Sequence, residues 1–495
     1  MYYKIQRQIL DLIDTIKEMQ VHFINNPIDV PKYKEDCVNA LQIIQKTIED
    51  EVKEKVEVLE YLYDIYRNGE KIIQNTDGIF EKLDQLITVV QSFPIKWRMV
   101  FLPYKASMWN SMESIWKEAI KDDRCEVQVM CLPYMVFDGE GMLQKVVCET
   151  EQFPEYVDIT SATNGVIEHI SPEFIIIHNP YDEYNNLTRV PEEYYAKNLR
   201  NYTLCLVYTP YFTFFGSDKE SLDRLIYSPG NLYSDKIIVQ SDIVAQHYKD
   251  RGMNEKKLLV IGSPKLDAII NMKKDKIEMP VSWKEKLAGR KSILYTFSLN
   301  LVFQTERLKN LLIKMKEHWK DEDLGFIFRP HPLLRDFCKN RTENEKIIQE
   351  IFEFIEQDDR IVLDTNESYL PAFCYSDGFM VYDATSLLNE YLMTGKPIYW
   401  DYADSDRIEN QEEFVLDFRG FYCVHSEQLE AIKRGEDIQE EGEFFRAVKF
   451  GEDVKKELRY EISKRCFHRV DGRVGEEVYK ALVKELENRD ELCCN

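Results

Sequence analysis

Long apolar runs are absent from this chain. Among its 495 residues, no stretch approaches the roughly 18 consecutive apolar residues that would span a lipid bilayer. Near the start, charged residues at Asp11, Asp14 and Lys17 interrupt the apolar positions. The sequence therefore predicts neither a signal peptide nor a membrane span, and we expect a soluble chain.

An excess of positive charge is also absent. The chain has 64 Lys and Arg against 88 Asp and Glu, which gives a formal net charge of −24. The sequence pI is near 4.9. This balance argues against a nucleic-acid partner and against a general attraction to anionic lipid. A polyanionic ligand would have to be bound by a few local cations.

Paired metal-binding cysteines are missing as well. The 11 cysteines are odd in number and scattered, with irregular spacing between Cys125, Cys131 and Cys148 and an adjacent pair at Cys493 and Cys494. No CxxC pairs occur. This pattern disfavours a zinc site and favours buried free thiols in a reducing cytoplasm.

The chain has enough apolar material for more than one core. Hydrophobic residues make up 44% and aromatic residues 12% of the sequence. At roughly 150 residues per domain, the length predicts two to four domains. The charges are interspersed with apolar residues, so we expect an ordered chain.

The first segment, residues 1–93, has helical periodicity. Apolar side chains recur on one face from Ile5 to Ile16, from Leu41 to Val56, and again from Ile72 to Val90. Three amphipathic helices are the simplest interpretation. Their outer faces are rich in Glu and Lys. This favours a packed helical hairpin or a self-association arm, with a membrane-docking arm as the alternative.

Short apolar runs alternate with helix-length segments after Trp97. Runs that are apolar on both faces and alternate with helices indicate parallel α/β topology. The rhythm restarts near residue 290, which predicts two tandem doubly wound, Rossmann-like domains at 96–285 and 290–470, followed by a terminal helix and tail at 471–495. Ligands bind at the carboxyl ends of such strands, so we expect the active site in the interdomain cleft.

The sharpest local signal is the sequence FRPHP at 328–332. It follows the apolar strand LGFIF, so Arg329 and His331 should emerge at a strand's carboxyl edge with a backbone restrained by two prolines. An Arg and a His at such an edge suit phosphate binding or proton transfer. The alternative is a turn with a surface salt bridge.

Two further strand-to-helix junctions carry candidate ligand-binding residues. Thr385 and Ser386 lie where a helix begins, and the free amides of a helix start attract anions. Taken alone, this feature favours simple N-capping over phosphate binding. Gly262 would allow close backbone approach, and Lys265 would reach a phosphate across the cleft.

Taken together and in order, these motifs resemble the CDP-glycerol glycerophosphotransferase family, the teichoic-acid primases and polymerases with GT-B architecture. The resemblance is strongest over residues 235–402. It rests on the sequences IIVQSD, VIGSPKLD, FRPHP, DRIVLDT and SDGFMVYDATSLLNEYLMTGKPIYW.

The resemblance implies roles for several residues. It implies that His331 is a functional histidine and that Arg329 beside it binds phosphate. Thr385, Ser386 and Glu390 correspond to the family's donor site, with Glu390 expected to hold the nucleotide ribose. The family also implies a cytoplasmic enzyme, peripheral to the membrane where its acceptor is membrane-linked, that takes CDP-glycerol or a related CDP-alditol as donor.

One family feature is missing from the first domain. The family usually has a histidine after a strand there, and Tyr208 stands at the equivalent position, in CLVYTPY. A tyrosine with an ordinary pKa near 10 is a poor base at neutral pH. His178, which ends another strand of this domain, is the candidate replacement, with a purely structural role as the alternative.

The predicted reaction is attack of an acceptor hydroxyl on the β-phosphorus of the CDP-activated alditol, with CMP leaving. The acceptor would be a polyol phosphate or a lipid-linked molecule. No Asp-x-Asp motif lies on a predicted strand, so we expect no required metal and no cofactor. Two alternatives stay open: a glycosyltransferase that uses a nucleotide sugar, and an inactive scaffold that binds nucleotide or polymer.

Overall fold

The computed structural model describes most of the chain. The described residues are 1–69, 71–138, 141–214, 219–321, 323–331, 334, 342–366, 368–382, 385, 387–401, 418–423 and 439–493. Within them, no helix is both long enough and apolar enough to cross a membrane.

The N-terminal arm consists of four helices, and not the three that periodicity predicted. The difference arises at Lys53, whose φ of 57° ends the second helix in a left-handed conformation without a Gly or Pro to mark the break. The helices are α1 Tyr3–Asn25, α2 Val30–Val52, α3 Glu57–Asn68 and α4 Thr76–Ser92.

The arm has its own hydrophobic core. Ile13, Ile44, Leu62 and Leu83, one from each helix, are fully buried in it. The apolar spacing of three and four residues therefore serves packing between the helices of the arm.

The first α/β unit, which we call the first layer, is built around a seven-stranded parallel sheet with its flanking helices. The spatial order of the strands is β10-β9-β8-β6-β1-β2-β5. Its direction of winding reverses between β1 and β6, so the loops after these two strands form a topological switch point. The strands are β1 Trp97–Leu102, β2 Cys125–Cys131, β5 Ile159–Ser161, β6 Phe174–Ile177, β8 Cys205–Tyr208, β9 Lys236–Val239 and β10 Leu258–Val260.

A small antiparallel sheet is inserted after β2, and the sequence did not predict it. It has the order β4-β3-β7 and comprises β3 Tyr134–Phe137, β4 Leu143–Val147 and β7 Thr188–Arg189. Helices of the first layer surround the main sheet: α5 Asn110–Ala119, α6 Val166–Ile170, α7 Ala196–Leu199, α8 Lys219–Ile226, α9 Pro229–Tyr233, α10 Asp242–Asp250 and α11 Asp267–Ile270. The next helix, α12 Val281–Leu287, packs against the second parallel sheet.

The second α/β layer is a six-stranded parallel sheet with spatial order β13-β12-β11-β14-β15-β16. The switch point lies between β11 and β14. The strands are β11 Lys291–Phe297, β12 Leu324–Phe328, β13 Ile361–Leu363, β14 Gly378–Tyr382, β15 Ile398–Asp401 and β16 Tyr422–Cys423. Two parallel sheets that follow a helical arm along the chain confirm the predicted fold class.

The remaining described helices are α13 Thr305–His318, α14 Thr342–Gln357, α15 Leu370–Tyr375, α16 Leu387–Leu392, α17 Gln439–Phe450, α18 Lys456–Cys466 and α19 Val474–Cys493. The last one, α19, returns to the first layer. Its residues Val478 and Leu482 are buried in one cluster with Met112 and Ile115 of α5.

Candidate active site

The end of β12 and the end of β13 form one wall of a pocket of about 320 Å³, lined by Arg329, His331, Asp364 and Asn366 among others. Parallel neighbouring strands end at the same edge of a sheet, which is why residues 35 positions apart in sequence meet here. The volume falls within the range of small-molecule sites. The FRPHP segment thus begins at the strand edge where the sequence predicted it.

Arg329 is held in place by Asp364. Its Nη1 donates to Asp364 Oδ2 at 2.6 Å, and the Asp364 side chain is completely buried. The second carboxylate oxygen, Oδ1, accepts from the backbone N–H of Asn366 at 3.1 Å and from its side-chain amide at 2.7 Å. The Thr296 hydroxyl donates to the Arg329 carbonyl at 2.7 Å. A buried carboxylate with several donors restrains the guanidinium to a narrow range of positions.

His331 lies at the same pocket, and the surrounding protein partly desolvates its imidazole. This desolvation lowers the pKa of His331 below its ordinary value. A lowered pKa increases the neutral fraction at pH 7, and the neutral imidazole is the form that accepts a proton.

A second cluster joins the two α/β layers. Lys265, after β10 of the first layer, lies 2.6 Å from the Glu390 carboxylate of α16 in the second layer, and both side chains are largely buried. Tyr369 lies beside Glu390, and its hydroxyl accepts from the Asn110 amide of α5 at 3.0 Å. Burial and then the Glu390 charge raise the pKa of Tyr369 far above its usual value.

This cluster lies within electrostatic range of the pocket at β12. The Arg329 charge acts on Tyr369 in the opposite direction to Glu390, so Tyr369 lies within electrostatic range of both. Among the residues that the sequence singled out, the structure therefore pairs Lys265 with Glu390 and places Arg329 within electrostatic range of Tyr369 beside them. Asp364, Tyr369 and Asn110 were not named as site residues in advance. Asp364 alone had a sequence signal, the end of the strand DRIVLDT.

His178 lies inside the protein. It follows β6 at the switch point, is completely buried, and accepts from the Tyr104 backbone N–H through Nε2 at 3.2 Å. The Ser111 hydroxyl donates to the Met108 carbonyl at 2.8 Å, so His178 Nδ1 donates to Ser111 Oγ at 3.3 Å.

Burial lowers the pKa of His178 to about 3. An imidazole with both nitrogens engaged inside the protein cannot contact a ligand in this conformation. The geometry therefore favours the structural alternative, and the catalytic role of His178 stays a sequence prediction.

Tyr208 also lies inside the protein. It is fully buried at the end of β8, and its hydroxyl has no hydrogen-bond partner within the described ranges. Burial raises its pKa well above the usual value. The Tyr208 hydroxyl is therefore not available as a base.

Gly262 lies close to another segment of the protein. A Cβ on Gly262 would lie 2.8 Å from a Val474 methyl group, and its φ of +125° is unfavourable for other residues. The close approach is therefore to α19, and the predicted donor contact of Gly262 finds no support in this geometry.

Thr385 Oγ1 accepts from the Leu387 N–H at 3.4 Å, which is the capping alternative. Ser386 lies outside the described residues. Within the described part of the chain, no three His, Cys, Asp or Glu side chains are grouped as metal ligands would be. The expectation that no metal is required stays a prediction.

Solved structures are similar to this chain at low sequence identity. A protein assigned as a UDP-N-acetylglucosamine 2-epimerase from Listeria monocytogenes is 12% identical, with a TM-score of 0.50 over 79% of this chain and 97% of that chain. A variant of the wall teichoic acid polymerase TagF is 12% identical, with a TM-score of 0.47 over 88% and 99%. The UDP-GlcNAc 2-epimerase from Neisseria meningitidis, bound to UDP-GlcNAc, is 14% identical, with a TM-score of 0.47 over 78% and 100%. No curated protein matches the chain.

The sequence itself matches a family model over residues 231–484, just over half of the chain. The model describes CDP-Glycerol:Poly(glycerophosphate) glycerophosphotransferase. The matched span contains Arg329, His331, Lys265 and Glu390, whereas His178 precedes it. The chain therefore belongs to the CDP-glycerol:poly(glycerophosphate) glycerophosphotransferase family of transferases.

Proposed function

We propose that the protein transfers glycerol phosphate, or a related alditol phosphate, from a CDP-activated donor to a hydroxyl group of a polyol-phosphate or lipid-linked acceptor, in teichoic-acid or capsular polymer synthesis. The observation that carries the proposal is the pocket at the end of β12, where a restrained Arg329 and a partly desolvated His331 line the same cavity. Family membership supports the reaction class.

In the proposed reaction, an acceptor hydroxyl oxygen attacks the β-phosphorus of the donor. The bond between this phosphorus and the oxygen bridging to CMP breaks, and CMP leaves with that oxygen. His331 accepts the hydroxyl proton, because its lowered pKa favours the neutral form. Arg329 stabilises the negative charge on the transferred phosphoryl group.

The cluster between the two layers is the proposed nucleotide site. Glu390 is the candidate for binding the ribose hydroxyls, and its carboxylate is paired with Lys265. Ribose hydroxyls that replace this contact would release Lys265 to bind the donor diphosphate. Thr385 and Ser386 remain candidates for the same diphosphate.

The test is an assay for CMP release with CDP-glycerol, CDP-ribitol and UDP-sugars as donors, in the presence of a glycerol-phosphate oligomer. We expect CMP from one of the CDP-alditols and no UDP from the sugars. Release of UDP alone would contradict the proposal and support the nucleotide-sugar alternative.

Two variants assign the proposed roles. We expect His331→Ala to lower kcat by about 100-fold or more, the usual cost of removing a general base. Arg329→Ala should mainly raise the donor KM. The matched control is His169→Ala. His169 is an exposed imidazole on α6, and α6 leads into the amino-terminal end of β6, away from the carboxyl edge of the sheet. Normal turnover in the His331 variant would remove it from the mechanism.

A binding protein without transferase activity is the second candidate. The observation that favours it is the complete burial of both His178 and Tyr208 at the edge where the family places a histidine. Such a protein would be stabilised against heat by CDP-glycerol, since a ligand that binds only the folded state raises its stability. It would release no CMP with any acceptor.

A further inference from the structure

Two thiols meet at the carboxyl edge of the first sheet. Cys131 is the last residue of β2 and is buried, whereas Cys148 follows β4 and is exposed. Cys148 Sγ lies 3.8 Å from the Cys131 carbonyl oxygen and 3.5 Å from Ser161 Oγ.

The pairing of the strands places both sulfurs on the same side of the sheet. Ser161 of β5 is the direct partner of Cys131 in the parallel register, and directly paired residues point to the same face. Cys148, which contacts Ser161, therefore covers the face that carries the Cys131 side chain. Each of the two thiols is close enough to affect the pKa of the other.

The two thiols differ in reactivity. Partial burial raises the pKa of Cys148, but hydrogen bonds from Ser161, Thr150 and Cys131 outweigh it, so that the net pKa is lowered. Burial raises the pKa of Cys131 to about 12. An exposed thiol with a lowered pKa is the form that attacks an oxidant, and a buried thiol beside it is placed to resolve the product.

We propose that Cys131 and Cys148 are a reversible redox pair that a low-molecular-weight disulfide oxidises to an intramolecular disulfide. The Cys148 thiolate attacks one sulfur of the small disulfide, forms a mixed disulfide and releases one small thiolate. The Cys131 sulfur then attacks Cys148 Sγ, loses its proton, and releases the second small thiolate. Two electrons pass from the protein to the oxidant, and the two cysteine protons end on two small thiols.

The pair is linked to the loop that leads into the cleft. Glu149 directly follows Cys148, and its carboxylate accepts from the Tyr134 hydroxyl at 2.5 Å and from the Ala106 N–H at 2.8 Å. Ala106 lies between β1 and α5, and α5 begins with Asn110 of the interlayer cluster. Drawing Cys148 towards Cys131 displaces Glu149, so that oxidation releases the Ala106 N–H. This assignment does not depend on the proposed transferase activity.

The test is treatment of the full-length protein with glutathione disulfide, followed by mass spectrometry of alkylated peptides. We expect a peptide cross-linked between Cys131 and Cys148 that disappears after reduction. Cys148→Ser should lose both the cross-link and any glutathione adduct at this site. Cys131→Ala should accumulate the glutathione adduct on Cys148, because the resolving thiol is gone.

The matched control is Cys125→Ser, which changes a partly buried thiol on the same strand and should leave the cross-link intact. Absence of the cross-link in the wild type, or its persistence in Cys148→Ser, would overturn the proposal. Hydrogen exchange measured on a peptide covering residues 104–112 should be faster in the oxidised protein. Equal exchange in both forms would overturn the displacement of Glu149.

Discussion

At the scale of single residues, the pocket at β12 depends on one buried carboxylate. Asp364 is completely buried and is shared between the Arg329 guanidinium and the amide groups of Asn366. A buried acceptor that holds a cation in one orientation lowers the entropic cost of binding an anionic ligand. Asp364 is therefore a positioning residue in the proposed reaction, acting through Arg329.

We expect Asp364→Asn to raise the donor KM by about tenfold, with a smaller fall in kcat, because the variant loosens the orientation of Arg329 without removing its charge. Steady-state kinetics with the CDP-alditol donor would measure both constants. Glu306→Gln is the control, because this exposed carboxylate pairs with Lys309 on the surface of α13. An unchanged donor KM in the Asp364 variant would argue against the positioning role.

His178 should make the stability of the protein depend on pH. Its pKa is about 3 in the folded protein against an ordinary value of 6.5. Between these two pH values, His178 therefore binds a proton in the unfolded chain but not in the folded protein. The contribution of neutral His178 is present above pH 6.5 and is lost as the pH falls below it, by about 1.4 kcal/mol per pH unit down to pH 3.

Replacing His178 by Gln tests this, because the amide can both donate and accept a hydrogen bond but does not titrate. Urea unfolding at pH 7.0 and pH 5.0 should show that the wild type loses about 2 kcal/mol more than His178→Gln over this interval. Parallel losses in the two proteins would show that His178 does not titrate as its burial requires.

At the scale of secondary structure, α19 is fastened to the first layer by a cap from a distant segment. The Asp267 carboxylate of α11 accepts from the backbone N–H groups of Val474 at 3.1 Å and Gly475 at 2.8 Å. A Cβ on Gly475 would lie 2.3 Å from the Ser114 backbone of α5. The start of α19 is thus held by close packing and by an acceptor at its positive end.

Replacing Asp267 by Ala should lower the free energy of unfolding by about 1–2 kcal/mol, since two helix amides lose their acceptor. Denaturant unfolding at neutral pH would measure the change. The control is Asp471→Ala, because the Asp471 side chain is half-exposed, accepts from the Arg473 backbone N–H of the same turn and pairs with Arg469 at the surface. A loss of unfolding free energy of similar size in the control would mean that the loss in Asp267→Ala does not come from the helix cap.

At the scale of the whole molecule, the first residues of the arm are part of the first layer. Tyr3 is buried in the same cluster as Trp97 and Phe174. The Lys4 N–H donates to Glu173 Oε1 at 3.0 Å, and the Arg98 N–H donates to the other oxygen of the same carboxylate at 2.7 Å. The boundary at residue 93 stays a prediction, and these contacts cross it.

We expect removal of residues 1–93 to leave a protein that unfolds cooperatively but is less stable, by at least the roughly 2 kcal/mol that burial of a large side chain contributes. Thermal unfolding of the truncated chain would show this. Tyr3→Ala in the full chain is the matched variant, and it should account for much of the loss. A truncated chain without any cooperative transition would contradict the separability of the arm.

The sequence alone determined the local features of this protein. Apolar runs bounded by turns marked the strands of both parallel sheets, since such strands are buried on both faces and need apolar side chains throughout. The motif FRPHP after one of these runs was enough to locate Arg329 and His331 at a strand edge. The separation of α2 from α3 at Lys53 was missed, because a left-handed Lys has no sequence signature.

The tertiary structure alone decided which distant residues meet. Lys265 pairs with Glu390 across 125 positions and Asn110 contacts Tyr369 across 259 positions, and neither pairing follows from local periodicity. The same holds for His178, whose position after a strand is compatible with an exposed base or with a buried structural residue. Packing of Tyr104 and Ser111 around it buries it, because burial depends on the loops of neighbouring strands and not on the segment itself.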